Sequence, residues 1–252
     1  MSAIATPFPG PQGLVQVRSY CESTDGLAVR RIFAEGMTGL VYDGFSGLVG
    51  VLWPAVVAVC AVLSATTFAA GYGAVFVALG GVLPFVVMMS SLFLCVKRQL
   101  LAYVDHSLSD DLKVIEAFYV DKHKSHFWVA VGAVKDTAEE VCGCVALQYK
   151  TEEDTADKRA GWGELRRMSV TASARRHGVA SKLHEALVAH AKEHQLKGVF
   201  LTTSTMQPQA IALYRRLGYD QVSTHSISSY PILKHAIKIM TFEMNLMVTS
   251  TS

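Results

Sequence analysis

The chain has 252 residues, 51% of them hydrophobic, and a formal net charge of +2 from 23 Lys and Arg against 21 Asp and Glu. That near balance offers no basic stripe for a nucleic-acid backbone and argues against such a partner. The length holds one large domain, or a domain with an appendage. The hydrophobicity is concentrated, because residues 44–96 contain no Asp, Glu, Lys, Arg or His.

In chain order, residues 1–13 hold three prolines and lack a signal-peptide layout, which reads as a flexible leader. Leu14 to Tyr20 alternates like a strand. Asp25 can cap a helix running through Val29, Ile32, Phe33 and Met37. The uncharged run follows. As a single helix its 53 residues would extend about 80 Å, against a bilayer hydrocarbon core of about 30 Å. Gly71-Tyr72-Gly73 stands at its middle, so two helices, roughly 48–70 and 74–96, are expected to form a transmembrane hairpin. Pro54 and Pro84 leave a bent, re-entrant hairpin as the alternative. Lys97 and Arg98 follow the second helix, Arg30 and Arg31 precede the first, and the turn is uncharged. The positive-inside tendency then puts both chain ends in the cytosol. The organisation expected is a first strand and helix over 14–43, a hairpin insertion over 44–96, and the remainder of one domain over 97–252.

Beyond the run, Ser109 or Asp110 is expected to start a helix carrying Leu112, Ile115, Phe118 and Tyr119. Strands over Phe127–Val134 and Glu140–Tyr149 flank the polar turn Lys135-Asp136-Thr137. A charged loop, Thr151–Lys158, leads to a strand at Trp162–Val170. The helix Val179–His194 shows an apolar stripe of Val179, Leu183, Ala186, Leu187, His190 and Ala191. A strand at Val199–Ser204, a helix at Gln209–Arg216 ending at Gly218, and antiparallel strands at Tyr219–Ile227 and Ile237–Met247 close the chain. Three consecutive strands before the loop imply an α/β (α+β) fold with a mixed, mostly antiparallel sheet flanked by helices. The five cysteines, Cys21, Cys60, Cys95, Cys142 and Cys144, are odd in number and two lie in the apolar run, so no disulfide framework is implied. Cys142 and Cys144 are expected to be buried on one strand face. His126, His177, His184, His190 and His194 have no metal-ligand spacing, and no metal is expected.

Two segments carry the chemistry. Glu164-Leu165-Arg166-Arg167-Met168-Ser169-Val170 reads as a strand, and Arg175-Arg176-His177-Gly178-Val179-Ala180 as a basic loop entering a helix. Such a turn gathers free N–H groups at the positive end of a helix dipole, which suits a phosphate; Arg175, Arg176 and Lys182 add charge. About 30 residues on, across one helix and one strand, comes Ala210-Ile211-Ala212-Leu213-Tyr214-Arg215-Arg216-Leu217-Gly218-Tyr219. Together these resemble the GCN5-related N-acetyltransferase (GNAT) superfamily. Its Arg/Gln-x-x-Gly-x-Gly/Ala signature is met by Arg175, Gly178 and Ala180. Its Ala-x-x-Leu-Tyr-x-x-x-Gly-Phe/Tyr element is met by Ala210, Leu213, Tyr214, Gly218 and Tyr219. Phe127-Trp128-Val129-Ala130, Arg167-Met168-Ser169-Val170 and the uncharged run look like the camello-like branch of membrane-bound N-acetyltransferases, which act on cysteine S-conjugates, aspartate or protein lysines. The likeness runs from about Val15 to the C-terminus.

The resemblance implies a GNAT fold with the hairpin inserted between its first two helices, an acceptor site near the membrane face, and an endoplasmic reticulum location. It implies acetyl-CoA as cosubstrate. Arg175, Arg176, His177, Gly178, Val179, Ala180 and Ser181 would surround its pyrophosphate, and Met168, Ser169 and Val170 its pantetheine. A backbone N–H of that strand would polarise the thioester carbonyl. Tyr214 is the candidate general acid for the leaving thiolate. Glu164 is the candidate base for an ammonium acceptor, directly or through water. With a strand period of two, Glu164, Arg166, Met168 and Val170 face one way and Leu165, Arg167 and Ser169 the other. Arg166 or Arg167 is a candidate partner for an acceptor carboxylate. Relatives often carry Gly at the position of Arg176 and Gln at that of His177. The activity implied is direct acetyl transfer to a small amino acid or its conjugate, without an acyl-enzyme. Protein lysine is the alternative acceptor, and a non-catalytic CoA-binding membrane protein is the alternative class.

Overall fold

A computed structural model describes residues 15–133, 139–152, 159–226 and 237–246. The leader, the polar turn at 135–137 and most of the charged loop at 151–158 lie outside the described residues.

Seven strands form one sheet in the order β1-β2-β3-β4-β5-β7-β6. They are β1 (Gln16–Ser19), β2 (His126–Ala133), β3 (Glu139–Tyr149), β4 (Gly163–Val170), β5 (Gly198–Ser204), β6 (Asp220–Ser226) and β7 (Lys238–Asn245). Neighbours are antiparallel except β4 and β5. The closing strands pair as expected, and β7 inserts beside β5. Both faces of β2 and β3 are covered, which is why they read as nearly continuous apolar runs. On one face Phe127, Val129 and Val131 meet Val29, Ile32 and Phe33 of α1 (Glu22–Thr38) together with Leu112, Ile115 and Tyr119. On the other, Trp128, Ala130 and Val145 meet Val179, Leu183, Leu187 and Ala191 of α4 (Val179–Glu193). The predicted stripe of that helix is thus its buried side, His190 being half-buried.

Cys142 and Cys144 are both buried, but on opposite faces. The β2–β3 register pairs Ala130 with Gly143 and Val131 with Val141, so Cys142 is an extra residue that breaks the alternation.

The uncharged run forms two helices, α2 (Val41–Ala69, 29 residues) and α3 (Ala74–Ser109, 36 residues), reversing at the predicted Gly71-Tyr72-Gly73 turn. Both prolines lie inside continuous helix. By length and composition both helices can cross a membrane, and Trp53, Val62, Phe68, Val75 and Leu83 are exposed. The helices extend beyond the expected 48–70 and 74–96. No separate helix starts at Ser109 or Asp110. Lys97 to Ser109 contains neither Gly nor Pro, so nothing stops α3 at the end of the apolar run. The chain then turns, and a π-helical turn at Glu116–Val120 carries Tyr119 into the core. At its base the hairpin docks on the domain through Gly44, buried against the Met206 side chain.

Candidate active site

β4 and β5 pair only where Gly163 and Glu164 face Val199 and Phe200. Beyond that point they diverge, and the wedge between them opens a cleft of about 720 Å³. Its walls are Glu164 to Ser169 of β4, Thr202 to Ser204 of β5, and Tyr214 of α5 (Pro208–Arg216). The side facing the hairpin is apolar, with Phe33, Leu48, Cys95, Val96 and Tyr103 among its residues.

The strict alternation expected of β4 does not hold. Ser169 pairs with Cys144 and Arg166 with Ala146, so Arg167 and Met168 together oppose Val145. This bulge places Arg167 at φ 56°, in the left-handed region. Leu165 and Met168, three apart, consequently pack on the same core cluster.

The bulge separates the two arginines. Arg167 is 6% exposed and bonded in full: Nη2 and Nε donate to Asp111 at 2.5 and 2.8 Å, and Nη1 donates to Ser107 Oγ at 2.9 Å and Tyr103 Oη at 3.1 Å. Its guanidinium lies over the Phe33 ring, 4.9 Å from the centroid. Tyr119 donates a further hydrogen bond to Asp111. Burial alone would push the Asp111 carboxyl up. The hydrogen bonds from Arg167 and Tyr119 outweigh it and hold the group below the usual carboxylate range. Arg167 is therefore committed to Asp111, which removes it as a partner for an acceptor carboxylate.

Arg166 differs. It donates from Nη1 to Gln148 Oε1 at 2.9 Å and makes no ion pair among the described residues. Gln148 also accepts from Lys150 Nζ at 3.1 Å, and Lys150 pairs with Glu164 at 2.8 Å. Lys150, Glu164, Gln148 and Arg166 thus form a polar row across β3 and β4, with Glu164 and Arg166 on the cleft.

The basic loop has the geometry its sequence suggests. After a 3-10 turn at Ala172–Ala174, Arg175, Arg176 and His177 are exposed, and α4 starts beyond Gly178. Arg175 Nε donates to Val170 O at 3.2 Å, and His177 Nδ1 lies 2.9 Å from Arg175 O. Gly178 has φ 78°, no side chain caps the helix, and nothing stands within 4 Å of where a Cβ would project. The first N–H groups of α4, on Val179, Ala180 and Ser181, are thus open to approach by an anion. Arg176 has φ 66°, a left-handed position, where a non-glycine residue costs about 1 kcal/mol. Lys182 is turned away from the loop and donates to Val15 O at 3.1 Å.

Tyr214 is buried, its ring edge-on to Tyr219 with centroids 6.0 Å apart. Burial pushes its phenol up to about 12, so it holds its proton at neutral pH. Burial also raises the thiols of Cys142 to about 11 and Cys144 to about 12, which disqualifies both as thiolate nucleophiles. Among the described residues no three His, Cys, Asp or Glu side chains are arranged for a metal ion. His190 stacks on His126 and on His194, and Trp128 meets it edge-on.

Asp111, Ser107 and Gln148 carry much of this geometry and were not foreseen. Asp111 falls just after the helix start expected at Ser109 or Asp110, and Gln148 within the strand expected at Glu140–Tyr149. The one available signal was an acidic residue isolated among Leu112, Ile115 and Tyr119, a position that burial would force to find a cation.

The acetyltransferase (GNAT) family model matches residues 94–219. The chain is 30% identical over 210 residues to N-acetylaspartate synthetase of Danio rerio, covering 80% of this chain and 65% of that protein. It is 33% identical over 126 residues to probable N-acetyltransferase 14 of Xenopus tropicalis, covering 50% and 55%. With N-acetyltransferase 8 of Homo sapiens the identity is 28% over 134 residues, covering 53% and 56%. In each case the chain spans less than two thirds of the relative's length. The family match takes in the β4 bulge, the basic loop and the Tyr214–Tyr219 element, and the chain belongs to the acetyltransferase (GNAT) family.

Proposed function

We propose that this protein is a membrane-bound N-acetyltransferase that transfers acetyl from acetyl-CoA to the primary amine of an amino acid or amino-acid conjugate. The observation that carries the proposal is that Glu164, Arg166 and Tyr214 line one cleft, between strands that diverge beside an uncapped helix N-terminus. Acetyl-CoA supplies an activated thioester. The residues Arg175 to Ser181 hold its pyrophosphate by backbone N–H groups and cationic side chains. The stretch of β4 that has parted from β5, Met168 to Val170, takes the pantetheine arm and offers an N–H to the thioester oxygen, where negative charge develops. Glu164 accepts a proton from the acceptor ammonium, and Tyr214 protonates the departing thiolate. The attack is direct, because neither buried cysteine is positioned or ionised for an acyl-enzyme. Arg166, with no ion pair among the described residues, is the group for the acceptor's carboxylate. The relative named for N-acetylaspartate synthesis supports an amino-acid acceptor.

The exposed apolar surface of α2 and α3 supports a bilayer setting, since burying each large apolar side chain is worth about 1.5–3 kcal/mol. Both hairpin ends adjoin the domain, so the domain lies on one side of the membrane. Arg30 is bonded to Glu22 and Arg31 to Glu140, which leaves Lys97 and Arg98 as the flanking cations that favour a cytosolic domain. The endoplasmic reticulum is the membrane we propose. The test is thiol release from acetyl-CoA by the full chain in nanodiscs, with free amino acids, cysteine S-conjugates and lysine peptides as acceptors. Turnover with α-amino acids, reduced about 10-fold or more for their amides by loss of one charge-assisted bond, is expected. Tight CoA binding with no amine turned over would refute the proposal; preference for lysine peptides would replace the acceptor.

A further inference from the structure

Arg167 is a full positive charge in a buried, left-handed position of the strand that the proposed function assigns to the thioester. Such a residue is stable only if its surroundings determine its place. Those surroundings are four groups of one region: Asp111, Ser107 and Tyr103 through hydrogen bonds, and the Phe33 face. Ser107 and Tyr103 belong to the last turns of α3, which runs unbroken from the hairpin turn to Ser109. The Arg167 carbonyl accepts from the Cys144 thiol at 3.4 Å. The next two residues, Met168 and Ser169, line the cleft.

We infer that Arg167 is a positioning residue: held by Asp111, Ser107 and Tyr103, it fixes the β4 bulge that aims the backbone at the thioester, and so ties the reaction centre to the second hairpin helix. The inference rests on the acetyltransferase function proposed above. It reassigns Arg167 from acceptor recognition to the geometry of acetyl activation. A sheet bulge is one of the few devices that re-aims a strand mid-course, and without an anchor on its odd residue the strand has a competing, unbulged register available. The dry setting, with Asp111 fully buried, makes the anchor specific to a forked cation, because a lysine cannot bridge both carboxylate oxygens and reach Ser107 at once.

The test uses the full chain in nanodiscs and three variants, Arg167→Lys, Ser107→Ala and Tyr103→Phe. Isotope-edited infrared spectra of bound carbon-13-labelled acetyl-CoA report thioester polarisation without any acceptor. In the wild type the carbonyl band lies below that of free acetyl-CoA, and it moves back toward the free position in Arg167→Lys. With an active amine, Arg167→Lys lowers kcat about 100-fold, the scale of one lost oxyanion donor. Ser107→Ala and Tyr103→Phe, which keep the Arg167–Asp111 pair and the fold, lower kcat about tenfold or less. KM for acetyl-CoA stays within a few-fold. An unshifted band and unchanged kcat in all three variants would overturn the inference. So would a rise in KM confined to carboxylate-bearing acceptors, which would make Arg167 a substrate contact, or a loss of thermal stability with full kcat. If the wild type acetylates no amine, the proposed function fails by itself, and the infrared band still decides whether Arg167 sets the bulge.

Discussion

Replacing Gly178 by Ala separates anion binding from backbone strain. Gly178 has φ 78° and open space where a Cβ would stand. The methyl therefore meets no protein atom, and its cost to folding is the left-handed conformation alone, about 1 kcal/mol. A phosphate approaching the first N–H groups of α4 would have to pass that methyl. Displacing it weakens one or more charge-assisted hydrogen bonds, each about 1.5–3 kcal/mol, which is about a 10- to 100-fold rise in Kd for CoA. Gly71 supplies a matched control. It has φ 77° with nothing within 4 Å, but it sits at the tip of the hairpin. Gly71→Ala carries the same strain and leaves CoA affinity at the wild-type value. Isothermal titration of both variants with CoA and with a pantetheine that lacks the pyrophosphate completes the assay. The Gly178→Ala defect is expected with CoA and absent with pantetheine. Equal CoA affinities for the two variants would refute the placement of the pyrophosphate at this loop.

Tyr214→Phe is expected to lower kcat about 100-fold, within the usual range for a lost general acid, with CoA affinity unchanged in the same titration. Asp111→Ala leaves Arg167 as an uncompensated buried charge and should destabilise the fold by about 3–5 kcal/mol, read from denaturant midpoints. Because the folded carboxyl of Asp111 is held low, the stability it contributes is present above its unfolded pKa of about 3.9 and is lost as pH falls through the folded value. The difference between variant and wild type should narrow in acid accordingly. Burial lowers the imidazoles of His126, His184 and His190. Their neutral forms are the folded ones, so stability is complete above an unfolded pKa of about 6.5 and declines as pH falls below it. A melting temperature that fell on going from pH 5.5 to 7.5 would contradict this. Cys142→Ala should keep full turnover and show no labelled thioester on the protein by mass spectrometry.

The sequence made the periodic features legible. The α4 stripe, the late antiparallel strands, the reversal at Gly71-Tyr72-Gly73 and the loop from Arg175 to Gly178 all follow from local chemistry that survives any tertiary context. Three features were not legible, and each comes from register or continuity. The bulges at Cys142 and at Arg167-Met168 insert single residues into otherwise regular strands, so period-two reasoning puts the two thiols on one face and Arg167 on one face with Leu165 and Ser169. The left-handed position of the β4 bulge holds Arg167, not a Gly that would announce it. The length of α3 is hidden because the end of hydrophobicity at Val96 is not the end of the helix. Lys97, Arg98 and Gln99 are good helix formers that change the environment without changing the backbone.

These misjudged features belong to one arrangement. Because α3 continues past Val96, its last turns reach β4 and present Tyr103 and Ser107 there; a helix ending at the apolar boundary would leave Arg167 without either. Because β4 bulges at Arg167, that charge turns into the layer of α1 and α3, while Arg166, one residue earlier, stays on the cleft bonded to the neutral amide of Gln148. Adjacent arginines of identical chemistry thereby acquire opposite fates, one neutralised in the dry layer beside α3 and one facing the cleft, where the proposed function has it meet the acceptor's carboxylate. The same continuity explains the cleft's composition. Leu48, Cys95 and Val96 come from the uncharged run and Tyr103 from its charged extension, so the apolar side of the cleft is built by the hairpin, and the polar row of Glu164, Gln148 and Arg166 by the sheet. In the proposed function, an acceptor entering there meets that apolar wall before its amine and carboxylate reach β4.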